Sequence, residues 1–576
     1  MKKQPTLFFR LCRYMKPHAM AMAEALFLVL ILTGCELLQP IIIGDAIDLF
    51  TESPDGTILY DYGIAYLVLL LIRYLCTSFQ QWILQKIGQE TIYRLRMEVF
   101  QHMQSLSMNF FNTTPVGKLV TRITNDTEAL NEMFSTLLAR LFRNIVKIIG
   151  YMAVMLLLNA KLALYSFLLL PLAAVLIFVF RTLSRRAYRI TRNKLTDLNT
   201  FLSEHLSGMR LIQIFAREQR KYDEFMEKNT SLYQAYFREI MIFAIFRPLI
   251  FFLSIVSLAI VFYKGGLSAI DKTVTVGTLY IFINYVRSFF EPIQELAEQF
   301  GTLQSAIASA EKVFSVLDTK DQIPVPDHPV HPKNVHGRIE FQHVWFAYEE
   351  EDYVLKDVSF TIEPGQKVAF VGATGAGKSS ILNLIGRYYD IQKGKILIDG
   401  IDIRQWDPRV LRQFIGQVQQ DVFLFTGDIK TNITLGNPDI SMSDVKRAAE
   451  MVHAAGFIEA LENGYDSQVT ERGSTLSAGQ RQLLSFARTL AYNPAILVMD
   501  EATANIDTET EVLIQSALET LMQDRTTIMV AHRLSTIQHA DQIMVMHKGR
   551  LRESGNHQEL LAQNGIYKKL YELQLS

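Results

Sequence analysis

At 576 residues the chain is too long for one ordinary domain, and 49% of it is hydrophobic with a mean hydropathy of +0.14, high for a soluble enzyme of this size. A formal net charge of −1 leaves no global field that would argue for nucleic acid. The three cysteines, Cys12, Cys35 and Cys76, lie too far apart for metal-ligand or disulfide-framework spacing.

The first residues, "MKKQPTLFFRLCRYMKPH", are basic, and no small-residue cleavage site follows the apolar stretch, so a retained membrane anchor is expected. Six stretches are long enough to span a bilayer: 19–49, 60–84, 130–158, 162–180, 240–263 and 274–294. Lys2, Lys3, Arg10, Arg13 and Lys16 place the N-terminus in the cytoplasm. The cluster Arg181, Arg185, Arg186, Arg189 and Arg192 falls on the same side, whereas "TESPDGT" carries no lysine or arginine, as an outside loop should. Six spans return the chain to the cytoplasm, so both termini are expected there.

The connections after the second and fourth spans keep helical periodicity, as in "YRLRMEVFQHMQSLSMNFF", and predict helices that continue into the cytoplasm. "FFNTTPVGKLVTRITND" and "LSGMRLIQIFAREQRKY" are the expected turning points, centred on 115–118 and 211–216. Glu36 and Arg73 fall at similar depth on antiparallel spans; an unpaired charge there is costly, so an ion pair or a wet cavity is expected. Arg287 and Glu291, four residues apart, share one face of the sixth span, which suits either a cargo cavity or helix packing.

The expected division is a transmembrane domain over 1–320, a Pro-rich linker over 321–336 and a soluble domain over 337–576. The last alternates apolar strands ("KVAFVG", "ILVMD", "TTIMVAH") with helical stretches, the pattern of an α/β nucleotide-type fold. "GATGAGKSS" matches G-x-x-x-x-G-K-[ST] after an apolar strand and at the opening of a helix. Gly372, Thr374, Gly375, Gly377, Lys378, Ser379 and Ser380 form that phosphate-binding set. The glycines let backbone N–H groups face phosphate oxygens, Lys378 reaches the terminal phosphates and Ser379 ligates Mg²⁺. "AILVMDE" ends a buried strand on Asp500, suited to Mg²⁺, and Glu501, suited to polarising water.

With these motifs in order, the second half resembles the nucleotide-binding domain of ATP-binding cassette (ABC) proteins. The whole chain resembles a bacterial exporter half-transporter of the multidrug or lipid type: six all-α spans followed by one P-loop cassette. The resemblance implies ATP hydrolysis coupled to transport, with ATP and Mg²⁺ bound. It implies that Tyr348 of "WFAY" stacks on adenine, that Gln420 of "VQQDVFLF" senses Mg²⁺, and that His532 of "VAHRLST" contacts the γ-phosphate. Asp507 matches the aspartate of the loop that crosses to a partner cassette. "LSAGQ", with Ser477, Gly479 and Gln480, resembles the family signature, in which glycine usually occupies the place of Ala478. Ser477 caps the following helix, whose start faces a phosphate on the opposite cassette.

The resemblance therefore requires a dimer in the bacterial cytoplasmic membrane, carrying amphipathic drugs or lipids. "DEATANID" also departs from the family, with Ala504 and Asn505 where Ser-Ala is common. Both departures fall on what the chain offers its partner, so a different half-transporter is the expected partner. The alternatives are a homodimeric lipid flippase and an ATP-gated channel or regulatory subunit. A soluble ATPase acting on nucleic acid conflicts with the spans. No peptidase precedes the first span, which argues against export of processed peptides.

Overall fold

The computed structural model describes residues 7–52, 56–500, 508–530, 538 and 540–575. Two compact units emerge: Met1–Gln104 with Val116–Thr319, and Ser105–Pro115 with Lys320–Ser576.

The first unit is helical throughout. Its apolar runs must satisfy every backbone group internally in lipid, which a helix does. A short amphipathic helix, α1 (Leu7–Met15), precedes α2 (Ala19–Glu52) and α3 (Gly56–Gln104). The chain continues through α5 (Val116–Thr121), α6 (Thr127–Glu132) and α7 (Leu138–Leu158), with α4 (Met108–Thr113) lying in the second unit. Then follow α8 (Ala160–Phe167), α9 (Leu170–Ser207), α10 (Met209–Ile214), α11 (Glu218–Ile270) and α12 (Val276–Leu317). At 49 and 53 residues, α3 and α11 run roughly 75–80 Å, far beyond a hydrocarbon core of about 30 Å. The helical extensions expected past the bilayer are present.

Among the described residues, five segments are long and apolar enough to cross a membrane: Arg13–Glu52, Leu59–Gln104, Val116–Leu158, Ala160–Ser207 and Glu218–Ile270. The stretch expected as a sixth such span lies within α12, which is not among them. Ile281, Phe282, Tyr285, Val286, Phe289 and Phe290 are all buried against neighbouring helices. The Tyr285 hydroxyl donates to the Leu37 carbonyl at 2.5 Å. The same helix carries Asn284 and Glu295, which are half-buried, and Arg287 and Glu291, which are exposed, and these polar groups lower its apolar character. The expected span 162–180 is interrupted too. A turn at 168–169 separates α8 from α9, where Pro171 stands in the first turn and its missing N–H costs no bond.

The second unit holds two principal sheets. The first has the order β2 (Tyr353–Ile362), β1 (Ile339–Ala347), β4 (Lys393–Ile398), β5 (Ile401–Asp402), paired antiparallel. The second has the order β12 (Arg550–Gly555), β11 (Gln542–His547), β3 (Lys367–Val371), β10 (Thr526–Val530), β9 (Ile496–Asp500), β6 (Ile415–Val418). Its strands are parallel apart from β12. Parallel strands are covered on both faces, which is why "KVAFV" and "TTIMV" read as continuous apolar runs and not as alternation. One core lies on each side of them, around Phe486, Leu497 and Ile514, and around Phe370, Ile381 and Val498.

The segment expected as a separating linker is bound to this unit. Arg387, 1% exposed, donates to the Pro324 carbonyl at 2.9 Å and to the Trp406 carbonyl at 3.0 Å, and pairs with Asp390 at 2.9 Å. The Val330 N–H donates to Gln405 at 2.9 Å, and Asp399 accepts from the N–H groups of His336 and Arg338 at 2.7 and 2.8 Å.

Candidate nucleotide-binding site

The phosphate loop follows β3 directly. Gly372, Gly375 and Gly377 take φ of 151°, 80° and 99°. A Cβ on Gly372 would come within 2.2 Å of the Met546 carbonyl oxygen, so glycine is required there by space as well as by backbone. Gly377 is the left-handed N-cap of α13 (Lys378–Ile385), so that helix presents its N-terminus to the loop. Thr374 and Ser379 are exposed, and Lys378 and Ser380 are buried. Lys378 Nζ folds back over the loop and donates to the carbonyls of Gly372 at 2.7 Å and Ala373 at 3.1 Å. These are the groups among which a terminal phosphate would compete for the ammonium.

Asp500 ends β9. Register sets it level with Val530 on β10, which is level with Phe370 on β3. Asp500 is thus separated from the start of the loop by one intervening strand, at the carboxyl ends of parallel strands where α/β sheets bind ligands. Gln420 is exposed just beyond β6 on the same edge of the sheet. The chain beyond it is held by Arg488, whose Nε donates to Asn432 at 2.8 Å and whose guanidinium reaches the Phe423 carbonyl. Burial lowers the pKa of Arg488 from its ordinary value. Glu501, Asp507 and His532, together with Ala504 and Asn505, lie outside the described residues.

Tyr348 follows β1 and is 38% exposed, as a stacking platform must be. Phe346 and Tyr389 meet its ring edge-on at 4.7 and 5.0 Å, and its hydroxyl lies 3.0 Å from Ser380 Oγ in the first turn of α13. Tyr389 is a residue that motif reading missed. Its only signal is the aromatic run "RYYD" one helix after the loop. Its hydroxyl accepts from Asn112 Nδ2 at 2.6 Å, and burial raises its pKa. The first turning segment therefore touches the aromatic platform through Asn112 and α4. The expected centre of that turn, 115–118, was too late: Val116 onward groups with the first unit.

Ser477 caps the helix Ala478–Ala491 as expected. Its Oγ accepts from the Gln480 N–H at 3.2 Å and the Gln480 side chain accepts from the Ser477 N–H at 2.9 Å, a reciprocal capping box. Gln480 is thereby engaged within its own helix. The two N–H groups between, on exposed Ala478 and buried Gly479, belong to the first turn, where no helical carbonyl precedes them.

In the first unit Glu36 and Arg73 are paired at 3.3 Å, as their depth suggested. Lys147 on α7 also reaches Glu36, at 2.5 Å, and Arg73 donates to Gln39 at 3.3 Å. No sequence spacing points to Lys147. Arg287 and Glu291 make no ion pair among the described residues; Glu295, one turn on, accepts from Asn144 at 2.9 Å.

Comparison with known proteins agrees with both units. The ABC transporter transmembrane region family matches residues 22–293, and the ABC transporter family matches residues 355–504. The lipid A-core flippase of Syntrophus aciditrophicus is 35% identical over 99% of this chain and 94% of its own length. A fatty acid ABC transporter ATP-binding/permease protein of Mycobacterium bovis is 38% identical over 87% of this chain and 80% of its own. YheH of Bacillus subtilis, a "probable multidrug resistance ABC transporter ATP-binding/permease protein", is 40% identical over 86% and 74%. A multi-pass helical unit, a glycine-cradled lysine and a capped signature helix in one chain have one reading: this is an ABC transporter of the exporter half-transporter type, an ATPase coupled to transport.

Proposed function

We propose that this chain exports amphipathic small molecules, drugs or lipids, across the bacterial cytoplasmic membrane as one half of a heterodimeric exporter, with both termini in the cytoplasm. Relatives named for lipid A-core, fatty acid and multidrug transport support that cargo range. ATP would close two cassettes head to tail and hydrolysis would reopen them, alternating access to a membrane cavity.

On this reading Tyr348 stacks on adenine, the loop N–H groups cradle the phosphates, and Lys378 leaves its loop carbonyls for the terminal phosphate. Mg²⁺ fits the donor set, which offers an exposed hydroxyl on Ser379, a strand-end carboxylate on Asp500 and the amide of Gln420. Bound there, the ion would neutralise charge on the phosphates. Glu501 orients the attacking water, His532 contacts the γ-phosphate and Asp507 faces the partner.

The observation that carries the heterodimer is the contrast between a complete phosphate loop and an altered signature. Ala478 adds an exposed methyl at the first helical position, where the partner's nucleotide would sit. The homodimer has one observation in its favour: Ala478 leaves the capping box intact, with its own and Gly479's N–H groups still at the helix start. Expression of this chain alone and with its partner separates the two. With the partner, Glu501→Gln should abolish most ATPase activity, by about 10²–10⁴-fold, and Ala478→Gly should change little. Robust ATPase and transport by this chain alone would refute the heterodimer.

A further inference from the structure

Past the apolar run that ends at Phe180, α9 carries Arg181, Arg185, Arg186, Arg189 and Arg192, all exposed. The chain holds no aspartate or glutamate between Glu132 and Asp197. Arg181 lies over the ring of Phe300 of α12 at 3.9 Å, and the other four make no ion pair among the described residues. Spacings of three and four residues make neighbours of Arg181 and Arg185, of Arg185 and Arg189, and of Arg189 and Arg192, so like charges repel along one stripe. An anion lying against the stripe offsets that repulsion.

The stripe stands away from the side on which α9 packs. Ala173, Phe180, Ala187 and Leu198 are buried, and Phe180 stacks on Phe246 of α11 at 3.8 Å. Two residues along a helix turn it by about 200°, so Phe178 stands on the side away from Phe180. Arg185 and Arg192 follow Phe178 in seven-residue steps, on the same face. Phe178 is 70% exposed and Val175, one turn earlier, 59%. This face thus offers bare apolar side chains and then guanidinium groups over roughly 16 Å, from Arg181 to Arg192. Ala160–Ser207 is long and apolar enough to cross a membrane, so the change from apolar to cationic falls where one leaflet has its headgroups.

We propose that this face binds an anionic phospholipid of the cytoplasmic leaflet, its acyl chain along Phe178 and Val175 and its phosphate on Arg185 and Arg189. Guanidinium meets phosphate through paired N–H donors, and clustered arginines just past a membrane span attract anionic headgroups. A zwitterionic lipid brings its own ammonium beside the phosphate, which the stripe repels. A free anion would use the arginines and leave Phe178 and Val175 uncovered. The lipid is a resident of the helix surface and not cargo, so the assignment rests on the membrane placement of α9 and not on the exporter reading.

The test titrates full-length protein in uncharged detergent micelles with dioctanoyl phosphatidylglycerol, dioctanoyl phosphatidylcholine or inorganic phosphate, and counts bound lipid by native mass spectrometry. Phosphatidylglycerol should bind about tenfold more tightly than phosphatidylcholine, and inorganic phosphate should not displace it. Arg185→Gln with Arg189→Gln should remove that preference and leave phosphatidylcholine binding unchanged. The lipid-free melting temperature should not fall, because a like-charge pair is relieved. Arg185→Lys with Arg189→Lys should keep most of the preference. Displacement by inorganic phosphate would make this a free-anion site. An unchanged preference in the double Gln variant, or a lowered melting temperature with a smaller oligomer, would give the stripe to an acidic surface of a partner chain. ATP-dependent passage of phosphatidylglycerol across proteoliposomes, abolished by the same substitutions, would make the lipid cargo. Any of these three results would overturn the assignment.

Discussion

Tyr389 joins the aromatic platform of the nucleotide site to the turning segment Ser105–Pro115, and two substitutions separate its roles. Tyr389→Phe removes the hydroxyl that accepts from Asn112 at 2.6 Å but keeps the ring 5.0 Å from Tyr348. The hydrogen bond is exposed, so water replaces it and its loss should cost about 0.5–1 kcal/mol. Nucleotide affinity should therefore stay within about twofold, while amide exchange across 105–115 should quicken by roughly two- to fivefold. Tyr389→Ala also removes the edge-on contact to Tyr348 and the tilted contact to Phe346, the latter at 5.7 Å. An aromatic pair contributes about 0.5–1.5 kcal/mol, so loosening the platform should weaken binding of a fluorescent ATP analogue about fivefold. Exchange in 105–115 and analogue titration, on the full chain in nanodiscs, read the two effects independently. Equal loss of nucleotide affinity in both variants, or unchanged exchange in Tyr389→Phe, would refute the division of roles.

Arg387→Ala should destabilise the cassette by about 3 kcal/mol, because a buried guanidinium with three partners cannot be replaced by water. Arg387→Lys should rescue little, having no fork to span Asp390, Trp406 and Pro324; thermal unfolding and proteolysis within 321–336 would show both. Glu36→Gln leaves Arg73 and Lys147 facing each other, so adding Lys147→Gln should restore part of the lost stability in lipid. Strict additivity in that double-mutant cycle would remove the cluster. Tyr348→Ala should weaken ATP by on the order of 1 kcal/mol, and Tyr348→Phe, which loses only the bond to Ser380, should be nearly silent. Identical behaviour of the two would exclude stacking.

Whatever depends on neighbours along the chain was legible in the sequence. Apolar length predicts helices in lipid. Gly-x-x-x-x-Gly-Lys-Ser after an apolar strand predicts the cradle around Lys378, and Ser477 with Gln480 three residues on predicts the capping box. Each rests on backbone chemistry within a few residues, where the side chain decides locally. Other features were decided only when helix faces met. Lys147 reaches Glu36 because α7 packs against α2, 111 positions away in the numbering, and no periodicity encodes that. Tyr389 matters because α4 returns to the cassette, carrying Asn112 to its hydroxyl. Apolar length predicts a sixth span at 274–294, yet α12 alternates buried Phe282, Tyr285 and Phe289 with exposed Arg287 and Glu291, a division set by the helices it packs against. A Pro-rich segment that reads as a free linker is held by Arg387, a lone arginine whose partners come from three separate places in the chain. Local propensity sets which elements form; contacts distant in sequence set which of their residues share a site.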